Sequence, residues 1–186
     1  ECVATTNNSW GYKSYDDDWK KPTEILYWLV ANVSKGGNLL LNVGPDGRGV
    51  MPSEAVSNLR KVGDWLKVNG DAIYGTKPWH IDHEGNSALK MGGTEHRKKA
   101  KLDFNFGSDD FWFTQKDNKV YAIALARPEG RRILVKSLIN EPIDRIRLLG
   151  QVLSLDWEKT DLGVEVQLPV YMANGIGYAI EVSLKD

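Results

Sequence analysis

Between Pro22 and Gly37 the apolar residues Ile25, Leu26, Leu29, Val30 and Val33 recur at the spacing of one helical face. Pro22 suits the first position of that helix, where a backbone N–H would have no partner. Thr23 and Glu24 suit its first turn, and Gly36 and Gly37 end it. The next run, Asn38-Leu39-Leu40-Leu41-Asn42-Val43-Gly44, is short and continuously apolar, the pattern of a strand buried on both faces in a parallel sheet. Pro45-Asp46-Gly47 predicts a turn. A second helix is expected from about Pro52-Ser53-Glu54, with Val56, Leu59, Val62 and Leu66 on one face and Gly70 closing it. Residues 1–20 carry neither period and read as irregular.

The rhythm changes near Lys77-Pro78-Trp79. From about residue 84 the apolar runs are short and alternating. Strands are predicted at Leu102-Asp103-Phe104, Phe111 to Thr114, Val120 to Leu125, Ile133-Leu134-Val135, Ile143 to Leu149, Val164 to Leu168 and Tyr178 to Val182. Turns such as Asp117-Asn118 and Pro128-Glu129-Gly130 separate them. Regular strands with polar turns predict an antiparallel β-sandwich. The Gly- and Lys-rich stretch at about 84–100 reads as a surface linker, and Lys98, Lys99 and Lys101 as a solvated strand edge.

Helix, buried strand, turn, helix is the order of a parallel α/β structure. One such strand needs parallel neighbours, and the periodicity supplies none for it. Residues 1–80 are therefore expected to be the end of a larger α/β domain, with 84–186 a separate β-sandwich. The sequence starts Glu1-Cys2-Val3-Ala4-Thr5-Thr6, with no initiator Met and no signal-peptide pattern. That start leads one to expect a cut there, or a sequence taken up partway.

Composition narrows the function. The chain has 186 residues, 41% hydrophobic and 26% charged, as a globular protein has. A net charge of −1 gives no electrostatic case for nucleic acid or an anionic membrane. No apolar run approaches the roughly 18 residues of a membrane span, so a soluble chain is expected. The compartment stays open, with secretion or the periplasm among the expectations. The single cysteine, Cys2, excludes an internal disulfide framework and a cysteine-rich metal site. Seven Trp and seven Tyr are many, and several lie in polar or glycine-rich stretches, where rings can stack on the C–H faces of sugars.

Other candidate chemistry is thin. Asp16-Asp17-Asp18 lacks the ordered spacing and distal Glu of a calcium loop and reads as a solvated loop. His80 and His83 alone are too few for zinc. Gly44-Pro45-Asp46-Gly47 lacks the Lys-Ser/Thr of a phosphate loop. Asn7-Asn8-Ser9 and Asn32-Val33-Ser34 fit the N-glycosylation triplet. No metal and no cofactor is expected.

One block is more specific. Ser34 to Pro45, then Asp46-Gly47, then Gly63-Asp64-Trp65-Leu66-Lys67-Val68-Asn69-Gly70-Asp71-Ala72-Ile73-Tyr74-Gly75-Thr76, resembles the end of the catalytic barrel in family 29 α-L-fucosidases. Asn8-Ser9-Trp10-Gly11-Tyr12 and Phe111-Trp112-Phe113-Thr114-Gln115-Lys116 match as well. The resemblance implies the terminal part of a (β/α)8-type barrel followed by an antiparallel β-sandwich. It also implies hydrolysis of α-linked L-fucose with retention, by an Asp nucleophile and a second carboxylate as acid/base, about 5–5.5 Å apart.

Both carboxylates lie upstream of the matching segment in the family, so no catalytic residue is assigned in this chain. Trp10 matches the aromatic position that lines the fucose pocket and is the one substrate-binding residue carried over. Glu1 falls where the family has a Trp-Glu pair ending the preceding strand, with a supporting hydrogen-bonding role in view. Asn42 lies near the carboxyl end of the last strand, where barrels place their sites, and is expected to cap the following loop. The implied partners are a fucosylated glycan and an upstream chain or segment that completes the barrel. The alternative is a non-catalytic carbohydrate-binding or structural module, for which Trp112 and Trp157 are the expected exposed rings.

Overall fold

The computed structural model describes residues 1–87, 106–172 and 175–185. Its first strand, β1 (Cys2–Thr5), leads through a long loop to helix α1 (Pro22–Val33), strand β2 (Leu39–Asn42) and helix α2 (Ser53–Asn69). A 3-10 turn at Gly70–Ala72 passes the chain to β3 (Lys77–Glu84), β4 (Phe111–Lys116), β5 (Lys119–Ala124), β6 (Arg132–Val135), β7 (Ile143–Leu148), β8 (Trp157–Thr160), β9 (Gly163–Gln167) and β10 (Tyr178–Leu184). Both helices and β2 stand where the periodicity puts them. The predicted strand at 102–104 and the lysines 98, 99 and 101 lie outside the described residues, as does most of the 84–100 stretch.

β1, β3 and β8 escape the periodicity. β1 corrects two expectations. Residues 2–5 are not irregular, and they pair in parallel with β2, Val3 beside Leu40 and Thr5 beside Asn42. The chain thus supplies β2 with one parallel neighbour. Two strands still cannot bury their own faces. Val3 and Leu40 stand about half exposed, and β2 is not enclosed on both sides.

The antiparallel strands form two sheets. Five strands run in the order β3-β4-β5-β10-β7, and three in the order β6-β9-β8. Alternate residues of β4, β5 and β10 point to opposite faces, and both faces are buried. Phe111, Phe113, Val120, Ala122, Ile180 and Val182 meet Ile133, Val135, Val164 and Val166 of the smaller sheet, making the sandwich core. On the other face Trp112, Tyr121, Ile123 and Ala179 meet Leu26, Tyr27 and Val30 of α1 and Trp65 of α2. The result is three layers: helices, five-stranded sheet, three-stranded sheet.

This arrangement answers how the two helices bury their apolar faces without a full barrel: the sandwich covers them. Buried polar groups fix the junction. Asn69 accepts from the Ala179 amide at 3.0 Å and donates to the Trp65 carbonyl at 3.1 Å. The Thr114 hydroxyl donates to the Ala72 carbonyl at 2.7 Å. At Gly177 a side chain would meet the Ala124 carbonyl at 2.5 Å, and φ is +152°, so glycine is required there.

Candidate sugar-binding site

β1 and β2 run in parallel, so their carboxyl ends open on the same side. That is the side on which parallel α/β proteins build their sites, from the loops that follow the strands. The loop after β1 leaves at Thr6 and returns at Lys20, whose amide donates to the Thr6 carbonyl at 2.9 Å. The Thr6 amide in turn donates to the Asn42 carbonyl at 3.1 Å. The neck is held further by Lys20 Nζ, buried, which donates to the Asn7 carbonyl at 2.9 Å, and by Asn58 Nδ2, which donates to the Lys20 carbonyl at 3.0 Å.

Inside the loop, Ser9 donates to Asp16 at 2.6 Å and Asn8 donates to Asp18 at 2.8 Å. Two of the three aspartates expected to be merely solvated, Asp16 and Asp18, therefore act as braces. Asn7 is buried, with its Oδ1 accepting from the Ser9 amide at 3.4 Å, and Asn32 Nδ2 donates to the Trp28 carbonyl at 2.6 Å, so the Asn32 amide is engaged inside the fold.

Trp10 stands on this braced loop with 60% of its surface exposed. Asn42, the last residue of β2, donates from Nδ2 to the Trp10 carbonyl at 2.6 Å. That bond ties the β2 end to the loop of its neighbour. Gly44 makes the same junction close: a Cβ there would meet Tyr12 N at 2.8 Å and Gly11 C at 2.9 Å. The loop after β2 is shaped by Asp46, which accepts from the amides of Arg48 and Val50 at 2.9 Å each and from the Arg48 guanidinium. The Val50 amide and the Arg48 guanidinium hold its carboxyl below the usual range.

Tyr12, Tyr15, Val50 and Met51 are also exposed on these two loops. In the sequence Tyr12 stood only within the Asn8-to-Tyr12 match and Tyr15 only within the general excess of rings, and nothing pointed to Val50 or Met51.

Glu1 precedes β1, at the amino end of that strand, roughly 13 Å along it from Thr5 at the rise of an extended chain. Chemically the corner offers an aromatic wall. Asp16, Asp18 and Asp46 on its two loops are engaged in holding those loops. Among the described residues no group of three His, Cys, Asp or Glu could hold a metal. His80 lies 3.9 Å from Glu141, and half-buried His83 lies 3.8 Å from Asp110, with its pKa pushed down by burial.

The rings expected for a free-standing binding module are elsewhere. Trp112 is buried against α1, stacked edge-on to Tyr27 at 5.7 Å. Trp157 is partly buried and packs on the sandwich core. A shallow cavity of about 310 Å³ beside it, lined by Arg132, Asp156, Glu158, Glu165 and Gln167, is crossed by the Arg132–Glu165 ion pair at 2.7 Å. It includes no residue of the β1–β2 corner. No described helix is long and apolar enough to cross a membrane.

Comparison with known proteins places this corner in a family. The α-L-fucosidase family model matches residues 1–71, and the model of the α-L-fucosidase C-terminal domain matches residues 105–185. Tissue α-L-fucosidase of Homo sapiens is 33% identical over 171 residues, covering 90% of this chain and 32% of its own length. The α-L-fucosidase of Dictyostelium discoideum is 32% identical, covering 91% of this chain and 31% of its own. The chain thus spans about a third of the length of these curated relatives.

Among solved structures, the Thermotoga maritima α-fucosidase in complex with fucose superposes with a TM-score of 0.77 at 29% identity, covering 97% of this chain and 39% of that one. α-L-fucosidase isoenzyme 1 from Paenibacillus thiaminolyticus gives 0.74 at 30% identity, covering 99% and 39%. The chain belongs to the α-L-fucosidase family of glycoside hydrolases and corresponds to the carboxyl-terminal portion of its members.

Proposed function

We propose that this chain is the carboxyl-terminal part of a retaining, exo-acting α-L-fucosidase and forms one wall of its fucose pocket. The single observation that carries the reading is Trp10: a largely exposed ring, held by Asn42 and a braced loop at the carboxyl ends of two paired parallel strands. A flat, rigid ring there excludes water beside the sugar's apolar face at little entropic cost. The solved relative named for its fucose complex supports the choice of sugar.

Residues 1–80 then make up the closing segment of a (β/α)8-type barrel, and 84–186 the terminal sandwich. The half-exposed Val3 and Leu40 are the surface on which further parallel strands would pack, because parallel sheets are covered on both faces. The nucleophile and the acid/base come from that missing part, since retaining hydrolysis needs two carboxyl groups about 5–5.5 Å apart across the bond. In the Trp10 corner, Asp16, Asp18 and Asp46 brace loops instead.

An assay of the pure 186-residue chain with an aryl α-L-fucoside tests the reading. No turnover is expected. Turnover that copurifies with the chain would sink the assignment of the two carboxylates to an upstream segment.

A further inference from the structure

One end of the sandwich holds a cavity of about 330 Å³ that includes no residue of the β1–β2 corner. One wall is the loop between β5 and β6, with Arg127, Pro128 and Arg131. The other is the segment after β9, with Pro169, Val170 and Tyr171. Hydrogen bonds hold both walls in place. The Leu168 amide donates to the Arg131 carbonyl at 2.6 Å, and the Gln151 side chain donates to the Tyr171 carbonyl at 3.0 Å. With its oxygen turned toward Arg131, the Gln167 amide accepts from that guanidinium at 3.2 and 3.3 Å, which steadies it. Tyr171 is 86% exposed and Val170 is 68% exposed, so the cavity presents apolar surface for a ligand to cover.

Charge sets this cavity apart. The chain has 24 Lys and Arg against 25 Asp and Glu, yet two guanidinium groups and no carboxylate line the cavity among the described residues. Glu129 belongs to the same loop but is exposed and outside the lining. The cavity beside Trp157 is the opposite case, with Arg132 set among Asp156, Glu158 and Glu165. Arg127 also acts on the sandwich core. Its charge opposes the upward push that burial gives the pKa of Tyr178, whose hydroxyl has no hydrogen-bond partner among the described residues.

A positive cleft with apolar walls selects a ligand that has one anionic group and one apolar face. The volume lies at the low end of ligand pockets, about 300–1,000 Å³, and suits a single ring. A bare inorganic anion would leave Tyr171 and Pro169 uncovered. A net charge of −1 gives nucleic acid no track to follow.

We propose that this cavity is a second binding site, on the sandwich, for a sugar ring that carries a carboxylate or a sulfate. Arg127 and Arg131 take the anion, and Tyr171 and Pro169 take the apolar face of the ring. The choice of a sugar as the carrier rests on reading the chain as part of a glycan-processing enzyme; the anion site does not.

Amide chemical-shift titration of the 186-residue chain tests it. The probes are methyl glucuronide, galactose 6-sulfate, uncharged methyl glucoside, inorganic sulfate and benzoate. Both charged sugars are expected to give saturable shifts at Gly130, Arg131, Val170 and Tyr171, and methyl glucoside none. Raising NaCl from about 50 to about 500 mM should weaken the charged sugars about threefold or more, because the site is exposed to screening. Arg127→Gln and Arg131→Gln should each weaken them about fivefold or more. Tyr171→Ala should weaken them roughly two- to tenfold and leave inorganic sulfate unchanged. Trp10→Ala should change none of these. All four side chains are exposed, so unchanged circular dichroism is expected.

No saturable shift at the cavity with any anion overturns the site, as does binding of methyl glucoside equal to that of the glucuronide. Benzoate or inorganic sulfate binding as tightly as both charged sugars overturns the sugar as carrier and leaves an anion site. Charged-sugar shifts that vanish with Trp10→Ala and ignore both arginines overturn the proposal while supporting the pocket wall at Trp10. The wild-type comparison of charged with uncharged sugar decides the case even where a variant fails to fold.

Discussion

Glu181 shows how one residue's setting can reverse its bare expectation. It lies on the helix-facing side of β10, almost fully buried, where a carboxylate is normally too costly. Arg147 meets it in a two-pronged bond at 2.7 and 2.8 Å, and Lys119 adds a third contact at 3.2 Å. Burial alone would raise its pKa, but these hydrogen bonds and charges outweigh that and hold it below the ordinary value. The folded pKa therefore lies below the unfolded value of about 4.3. The resulting stabilisation is present above that pH and is lost as pH falls through the lowered folded value.

Glu181→Gln should accordingly flatten the acid side of a plot of melting temperature against pH. An acid limb of the same depth in the variant would show that other carboxylates cause it. The sequence offered Tyr178-Ala179-Ile180-Glu181-Val182 only as an alternating strand with Glu181 and Ala179 on one face. It could not supply the partners of Glu181, which lie on the neighbouring strands 34 and 62 residues away.

At the scale of elements, α1 was legible in full and its environment was not. Pro22 at its first turn and the spacing of Ile25, Leu26, Leu29, Val30 and Val33 determine a helix with one apolar side. What that side packs on is decided by the sandwich, through Trp112, Tyr121 and Ile123. Leu26 is fully buried at this contact. Leu26→Ala should cost about 2–5 kcal/mol in urea unfolding, the range for a buried leucine whose cavity cannot collapse. A loss under about 1 kcal/mol would mean that α1 is not docked on the sheet in solution.

β1 and β8 were missed for a different reason. Each is only 4 residues long, and Trp157 to Thr160 alternates too briefly to show a period. β3 was hidden by the change of rhythm at Lys77-Pro78-Trp79, and its register shifts against β4 between Pro78 and His83.

For the whole molecule, the helix layer and the sandwich share one buried cluster and the bonds of Asn69 and Thr114. Neither can open without exposing the other's apolar face. Thermal or urea unfolding should therefore be a single transition, coincident by far-ultraviolet circular dichroism, which reports the helices, and by tryptophan fluorescence. Two separated transitions would show that residues 1–72 unfold independently of the sheets.

The sequence by itself determined both helices, β2, most strands of the sandwich, the absence of any long apolar span and the family, because these depend on local period and on motifs that lie along the chain. It also singled out Trp10. Only the tertiary structure decided that Trp10 and Asn42 meet, that residues 2–5 pair with β2 and that Trp112 is buried. Those facts depend on which strand lies beside β2 and on what covers each face. Such pairings join residues tens of positions apart, and no local pattern of polar and apolar side chains encodes them.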